Sequence, residues 1–338
     1  MRTIDTEHHF VTELYMETLR SNKTAPRVVE GRGLGYWEDC WIPIEATGAG
    51  PKLADMGEGR IKAMDAAGVD VALLSLTAPG VESLEPAVAT KIAADTNDRL
   101  AEYVDKYPER LAGMATVAPK DPDIAVKELE RCVKELGFRG WHTHSNFGDS
   151  YIDEKRYWPV LAKAEELGVP VYLHPTAPMI PDIRTFGICL SGPTFGFGTE
   201  VMFVFLRMIH RGVFDAFPKL KIILGHFGEA FPFLLDRVDT AYRQGYSKPN
   251  AEIGPGSKEL ASHYVLNNML VTSSGNYLPE AYYCTRDALG LEKILLATDY
   301  PFEQMHLGID FIKGLPISDA ERQQVCERNA LALGLASR

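Results

Sequence analysis

Eight short β-branched or apolar runs recur along this chain, each followed by a stretch with helical spacing, and this alternation narrows the fold more than any other feature. The runs are Arg2–Thr6, Val69–Leu76, Leu111–Val117, Phe138–His142, Val169–Leu173, Lys221–Leu224, Met269–Thr272 and Ile294–Thr298. Most are continuously apolar, the pattern of parallel strands covered on both faces. The helices between them are marked by their ends. In Pro122–Leu136, Ile124, Val126, Leu129 and Val133 build an apolar face, Asp121 stands at the N-cap, and Pro122 suits the first helical position. Gly137 and Gly168 follow Pro122–Leu136 and Glu154–Leu167 as C-terminal stops, and Thr90–Tyr107 and Ser318–Leu333 carry further helical patterns. Eight such units closing on themselves predict an α/β fold, a single (β/α)8 TIM barrel. An open doubly wound sheet would usually stop at about five to seven strands.

One segment breaks the rhythm. Residues 11–52 are rich in Gly and Pro towards their end and carry Trp37 and Trp41, so they read as an insertion after the first strand. Packing over the barrel mouth, covering a substrate and making a dimer contact are all open to it. No composition break or internal repeat marks a second domain, and residues 1–338 are read as one barrel unit. With 46% hydrophobic and 24% charged residues, the chain is not of the disordered class. A net charge of −11 repels phosphate backbones and argues against nucleic acid as a partner.

The five cysteines, Cys40, Cys132, Cys189, Cys284 and Cys326, are widely spaced with no CxxC. That pattern suggests neither a disulfide framework nor a thiolate zinc site. Asp5 and Glu7 interrupt the N-terminus where a signal peptide needs an apolar run, and the most apolar stretch, Val201–Ile209, is too short to span a bilayer. The expectation is a cytoplasmic protein with no membrane partner.

In a barrel of this kind, side chains at the carboxyl ends of the strands share one mouth, where chemistry sits. Read in order, those ends are Glu7-His8-His9, His142-Thr143-His144, His174, His226, Ser273-Ser274 and Asp299. Only His210, His263 and His306 fall elsewhere. A lone histidine is more often a satisfied structural residue than a ligand, but several aimed at one mouth reverse that expectation. Residues two apart on a strand share a face, so Glu7 and His9 point together and His8 points away. With His174 and Asp299 they make a set of two nitrogens and two oxygens. The lack of thiolate argues against a purely structural zinc, and open positions beside two carboxylates suit one Mn²⁺ or Zn²⁺.

Residues 213–229, VFDAFPKLKIILGHFGE, resemble the strand-six signature of the amidohydrolase superfamily. The likeness is to its amidohydrolase 2 branch, which holds aminocarboxymuconate-semialdehyde decarboxylase and the γ-resorcylate and dihydroxybenzoate decarboxylases. Leu173-His174-Pro175, Gly192–Gly198 (GPTFGFG) and Ala297–Glu303 (ATDYPFE) are similar to further parts of the pattern, in the right order, and the resemblance spans Ile4–Leu333. Glu7 in the first-strand Glu-x-His is closer to the hydroxybenzoate decarboxylases than to the semialdehyde decarboxylase. The fourth strand, Phe138–His142, offers no lysine for the second metal that the wider superfamily often holds, so one metal is expected.

The resemblance implies a metal-dependent nonoxidative decarboxylase of an ortho-hydroxylated aromatic carboxylic acid. Direct aryl–CO2 cleavage would leave an sp² carbanion; protonating the ring carbon first lets CO2 leave as aromaticity returns. The resemblance further implies Asp299 as the acid, with His226 and Glu229 orienting it or relaying protons. It also makes Arg237 a substrate-binding residue, reaching across a dimer interface unless it only makes a surface ion pair. Phe195, Phe197, Tyr300 and Phe302 are pocket aromatics by position, and Phe302 stands where carboxyvanillate decarboxylases have tyrosine. The family implies a homodimer or homotetramer. The same residues would serve a hydrolase or hydratase acting on a lactone, amide or unsaturated acid, with Asp299 as base to a metal-activated water. A barrel that binds a ligand without catalysis is the third reading.

Overall fold

The computed structural model describes residues 2–43, 47–246 and 248–336. Eleven strands follow one another along it: β1 (Ile4–Phe10), β2 (Arg27–Val29), β3 (Gly33–Trp37), β4 (Cys40–Ile42), β5 (Val71–Leu76), β6 (Leu111–Gly113), β7 (Trp141–His144), β8 (Val171–His174), β9 (Ile222–Leu224), β10 (Met269–Thr272) and β11 (Ile294–Leu295). Parallel pairing orders them β1-β5-β6 in one sheet and β11-β10-β9-β8-β7 in another. Two single bridges, Ala115 to Trp141 and His8 to Tyr300, join these sheets edge to edge and close the eight into a ring. The expected (β/α)8 barrel forms, with the expected runs as its staves.

The differences lie at element ends and have local causes. β1 runs on through Glu7, His8 and His9 to Phe10, and every residue in it is buried. A β-bulge falls between Asp5 and His8, where β1 places one residue more than β5. The extra residue turns Asp5 and His8 towards each other, with His8 Nε2 2.9 Å from Asp5 Oδ2. Asp5 also accepts hydrogen bonds from the Thr298 N–H at 3.0 Å and the Thr298 hydroxyl at 2.5 Å, tying the first strand to the last.

The helix expected at Thr90 begins at Pro86, whose ring suits the first turn. Helix Pro122–Lys134 starts as expected, with the Asp121 side chain accepting from the Ile124 N–H; such a cap is worth about 1 kcal/mol. The last helical pattern is split by a π-helical turn at Gln324–Arg328. That turn aims Asn329 inward, where Nδ2 donates to the carbonyls of Leu291 and Ile294 at 2.8 and 2.7 Å and satisfies the chain entering β11.

The described part of residues 11–52 holds helix Glu13–Ser21 and an antiparallel sheet, β2-β3-β4. Residues 44–46 lie outside the described residues. Four contacts seat this sheet against the segment after β8. The Trp37 indole donates to the Ala177 carbonyl at 2.9 Å, Arg184 stacks over the Trp37 ring and reaches Asp39 at 2.9 Å, and Cys40 Sγ meets Ser191 Oγ at 3.0 Å. Among the described residues no helix is long and apolar enough to cross a membrane.

Candidate active site

Glu7 and His9 on β1, His174 at the end of β8 and Asp299 after β11 each offer one donor atom, all within 4.8 Å of one another. His9 Nε2 is 3.0 Å from Asp299 Oδ1, and His174 Nε2 is 3.9 Å from Glu7 Oε1. The first distance would suit a hydrogen bond, yet neither atom has a partner in hydrogen-bonding geometry, and Glu7 Oε1 also stands unpartnered and buried. Orphaned buried donors and acceptors cost about 1–3 kcal/mol each, more when charged, unless something fills the gap between them.

The outer contacts are as specific as the inner ones. The imidazole Nδ1 of His174 donates to the Pro175 carbonyl at 2.8 Å, which leaves the Nε2 lone pair facing the cluster. His9 Nδ1 lies 3.3 Å from Ser75 Oγ, and Glu7 Oε2 accepts from the hydroxyls of Ser274 at 2.5 Å and Thr272 at 3.3 Å. Partners of this kind orient metal ligands. The orphaned atoms, the tautomer set at His174 and the absence of sulfur all fit one hard or borderline divalent cation.

Beside this cluster stand His226 and Glu229, carried by the tight turn after β9. Non-glycine residues with positive φ among the described residues are His226 (53°), Phe227 (57°), Glu229 (57°) and Asp299 (56°). Each such conformation costs on the order of 1–3 kcal/mol, and they fall almost wholly on the side chains picked out by sequence motif. Two glycines make the room. A Cβ on Gly198 would lie 2.4 Å from Glu229 Oε2, and one on Gly275 would lie 2.5 Å from His226 Nδ1.

Burial of Glu7, His9 and His174 strengthens the fields at the site. Burial alone would pull His226 down, but the carboxylates of Glu229, Glu7 and Asp299 raise it to about 9, and Glu229 is the one of the three outside the candidate metal set. The Nδ1 of His226 donates to the Ser274 carbonyl at 3.0 Å, which leaves Nε2 for the cavity. Burial pushes Glu229 up while His226 pulls it down. Burial, then the neighbouring His9, His142 and His144, hold His174 well below the usual imidazole range, in the neutral form a ligand needs.

A cavity of about 940 Å³ opens on these groups and is lined by His174, His226, Glu229, Asp299, Phe195, Phe197 and Phe302, among others. Glu7 and His9 are buried behind the lining residues, and the His9 ring lies 5.7 Å from that of Phe302. Tyr300 faces away from the cavity, against His8 and beneath Arg60. Arg237 is exposed on helix Phe231–Arg243 and is not among the lining residues of the single chain.

Three groups escape sequence reasoning. Glu82, in the loop after β5, accepts from the Thr143 hydroxyl at 2.9 Å and lies 3.0 Å from His144 Nδ1. Asp5 anchors His8, and Tyr36, from the insertion, lines the cavity. Glu82 and Tyr36 sit in segments without a motif, so only the fold brings them to the mouth. The acidic Asp5 inside an apolar run was the available signal for its burial.

A closed parallel barrel with a carboxylate–imidazole set at the carboxyl ends of its first, fifth and eighth staves defines a barrel enzyme built around a candidate metal centre. The chain belongs to the amidohydrolase family, whose model matches residues 4–333. It is 36% identical over 288 residues to γ-resorcylate decarboxylase of Polaromonas sp. JS666, covering 82% of this chain and 87% of that one. A crystal structure of the dihydroxybenzoic acid decarboxylase of the same organism, with bound manganese and the inhibitor 2-nitroresorcinol, is 34% identical. It superposes with a TM-score of 0.84, covering 98% of this chain and 97% of that chain. The 5-carboxyvanillate decarboxylase of Sphingomonas paucimobilis superposes with a TM-score of 0.88 at 32% identity, covering 99% of each chain.

Proposed function

We propose that this protein is a metal-dependent, nonoxidative decarboxylase of an ortho-hydroxylated aromatic carboxylic acid. The observation that carries the proposal is the convergence of Glu7, His9, His174 and Asp299 with three of their facing atoms left unpartnered. The manganese-containing dihydroxybenzoate decarboxylase at similar fold and 34% identity supports it. Glu7, His9, His174 and Asp299 are the proposed ligands of one Mn²⁺ or Zn²⁺. Bound there, the ion supplies Lewis-acid chemistry to the phenolic and carboxylate oxygens of a substrate.

The chain's own residues do the rest. Asp299 turns Oδ1 towards His9, and its Oδ2 is the atom proposed to carry a proton to the ring carbon that bears the carboxylate. The C–C bond electrons then return to the ring as CO2 departs, so no redox partner is needed. Protonated His226, hydrogen-bonded to the Ser274 carbonyl, is the proposed proton source for Asp299, and Glu229 is proposed to hold His226 in its charged form. Phe195 and Phe302 are proposed to pack the substrate ring.

A homodimer or homotetramer is proposed, supported by Phe233, which is 82% exposed on helix Phe231–Arg243. Arg237 follows one turn later, and its exposure fits contact with substrate across a subunit interface. The five free cysteines fit the cytoplasm.

The test is NMR in D2O on manganese-loaded protein given γ-resorcylate, 2,3-dihydroxybenzoate and related ortho-hydroxy acids. Deuterium at the carbon that lost CO2 is expected. Silence across the panel with metal in place would overturn the proposal and favour hydrolysis or hydration of a non-phenolic acid.

A further inference from the structure

The cavity is larger and more apolar than one substituted ring requires. Its volume of about 940 Å³ sits near the top of the ~300–1,000 Å³ range of pockets that hold drug-sized ligands. A single benzene ring with two or three small polar substituents fills only a fraction of it. Its ionisable groups are His174, His226, Glu229, Asp299 and Glu303, and Tyr36, Asn276 and several threonines add uncharged polar atoms. The larger part of the wall is apolar, with Leu34 and Ile42 from the insertion, Ile188 and Phe195 from the segment after β8, Met202 from helix Gly196–Arg211, and Leu234. Phe195 is 50% exposed and Phe302 43%, both turned to this space. Apolar surface left open inside a binding cavity is stabilised by an apolar occupant at roughly 25 cal/mol per Å² covered.

The wall also disfavours a class of substrate. Among the described lining residues there is no lysine or arginine, while Glu229 and Glu303 bring carboxylates to it. Away from His226 and the proposed metal, and leaving aside Arg237 of a neighbouring copy, a second anionic group on the ring would lose its water and meet the like charge of Glu229 and Glu303 with no lysine or arginine of the same chain to pair it.

Resting on the decarboxylase reading, we propose that the substrate is an ortho-hydroxylated aromatic monocarboxylic acid carrying a bulky apolar substituent, an alkyl chain of about five carbons or its equivalent. The insertion holds that substituent through Leu34 and Ile42. Each methylene buried there is worth roughly fourfold in transition-state or product affinity.

The experiment compares kcat/KM for CO2 release from 2,6-dihydroxybenzoate, 2,4-dihydroxy-6-methylbenzoate, 2,4-dihydroxy-6-pentylbenzoate and 5-carboxyvanillate on manganese-loaded protein. The pentyl acid is expected to exceed the methyl acid by roughly tenfold or more, with the diacid slowest. A pentyl acid no better than the methyl acid, or a preference for the diacid, overturns the inference while leaving the decarboxylase reading intact. If no acid releases CO2, the decarboxylase reading fails, and calorimetric titration decides the chamber separately. There, 5-pentylresorcinol should bind at least roughly tenfold tighter than resorcinol with a negative heat-capacity change; equal affinities overturn the inference. Ile42→Trp and Ile188→Trp, in separate segments, should each lower the pentyl-to-methyl ratio by roughly fivefold or more. An unchanged ratio in a folded variant counts against it.

Discussion

His9 Nε2 and Asp299 Oδ1 lie 3.0 Å apart, and neither has a hydrogen-bond partner. One comes from the first stave of the barrel and the other follows the last, so the contact exists only because the His8–Tyr300 bridge closes the ring. Two polar atoms so close, buried and unpaired are arranged for something between them. The other two donors, Glu7 and His174, come within reach from the same face.

Asp299→Asn keeps the shape of the side chain and removes its acid. Turnover is expected to fall by roughly 10²–10⁴, with metal binding weakened and the melting temperature little changed. Steady-state rates together with metal content by mass spectrometry check this; undiminished turnover would exclude Asp299 as the acid.

His8 and His9 are adjacent but serve different neighbours. His9→Ala should empty the metal site. His8→Ala should leave metal content near that of the parent protein but cost about 2–4 kcal/mol of stability, because it opens a cavity and removes a buried partner of Asp5. Metal stoichiometry and denaturant unfolding of both variants separate the cases. Equal metal loss in the two would mean that β1 presents the wrong face.

Ser274 hydrogen-bonds Glu7 Oε2 at 2.5 Å without facing the other proposed ligands. Ser274→Ala is expected to weaken manganese binding by roughly 10–100-fold, measured by chelator competition. A dissociation constant within a factor of two of the parent's would show that Glu7 needs no such support.

Gly198 lies in helix Gly196–Arg211 at a negative φ, so alanine is compatible with its backbone. Gly198→Ala should gain about 0.5–1 kcal/mol in helix propensity yet displace Glu229, whose Oε2 would sit 2.4 Å from the new Cβ. The expected outcome is a melting temperature held or raised while kcat/KM falls by roughly tenfold or more. Full activity would show that Glu229 can move without consequence.

The barrel was legible because burial on both faces imposes a continuous apolar run on most parallel staves, and the eight runs recur in order along the chain. Glu7, His9, His174 and Asp299 were legible for a related reason: polar residues at the ends of such runs have one common place to go. The period of two along a strand also separated His9 from His8. What the chain alone did not disclose depends on contacts between distant segments. The bulge that pairs His8 with Asp5, the left-handed backbone at His226, Glu229 and Asp299, and the arrival of Glu82 and Tyr36 at the mouth are of this kind. Local sequence carries a residue's own preference. Whether a strained conformation or a buried charge persists is decided by the many neighbours that over-determine it, and those neighbours exist only once the ring is closed.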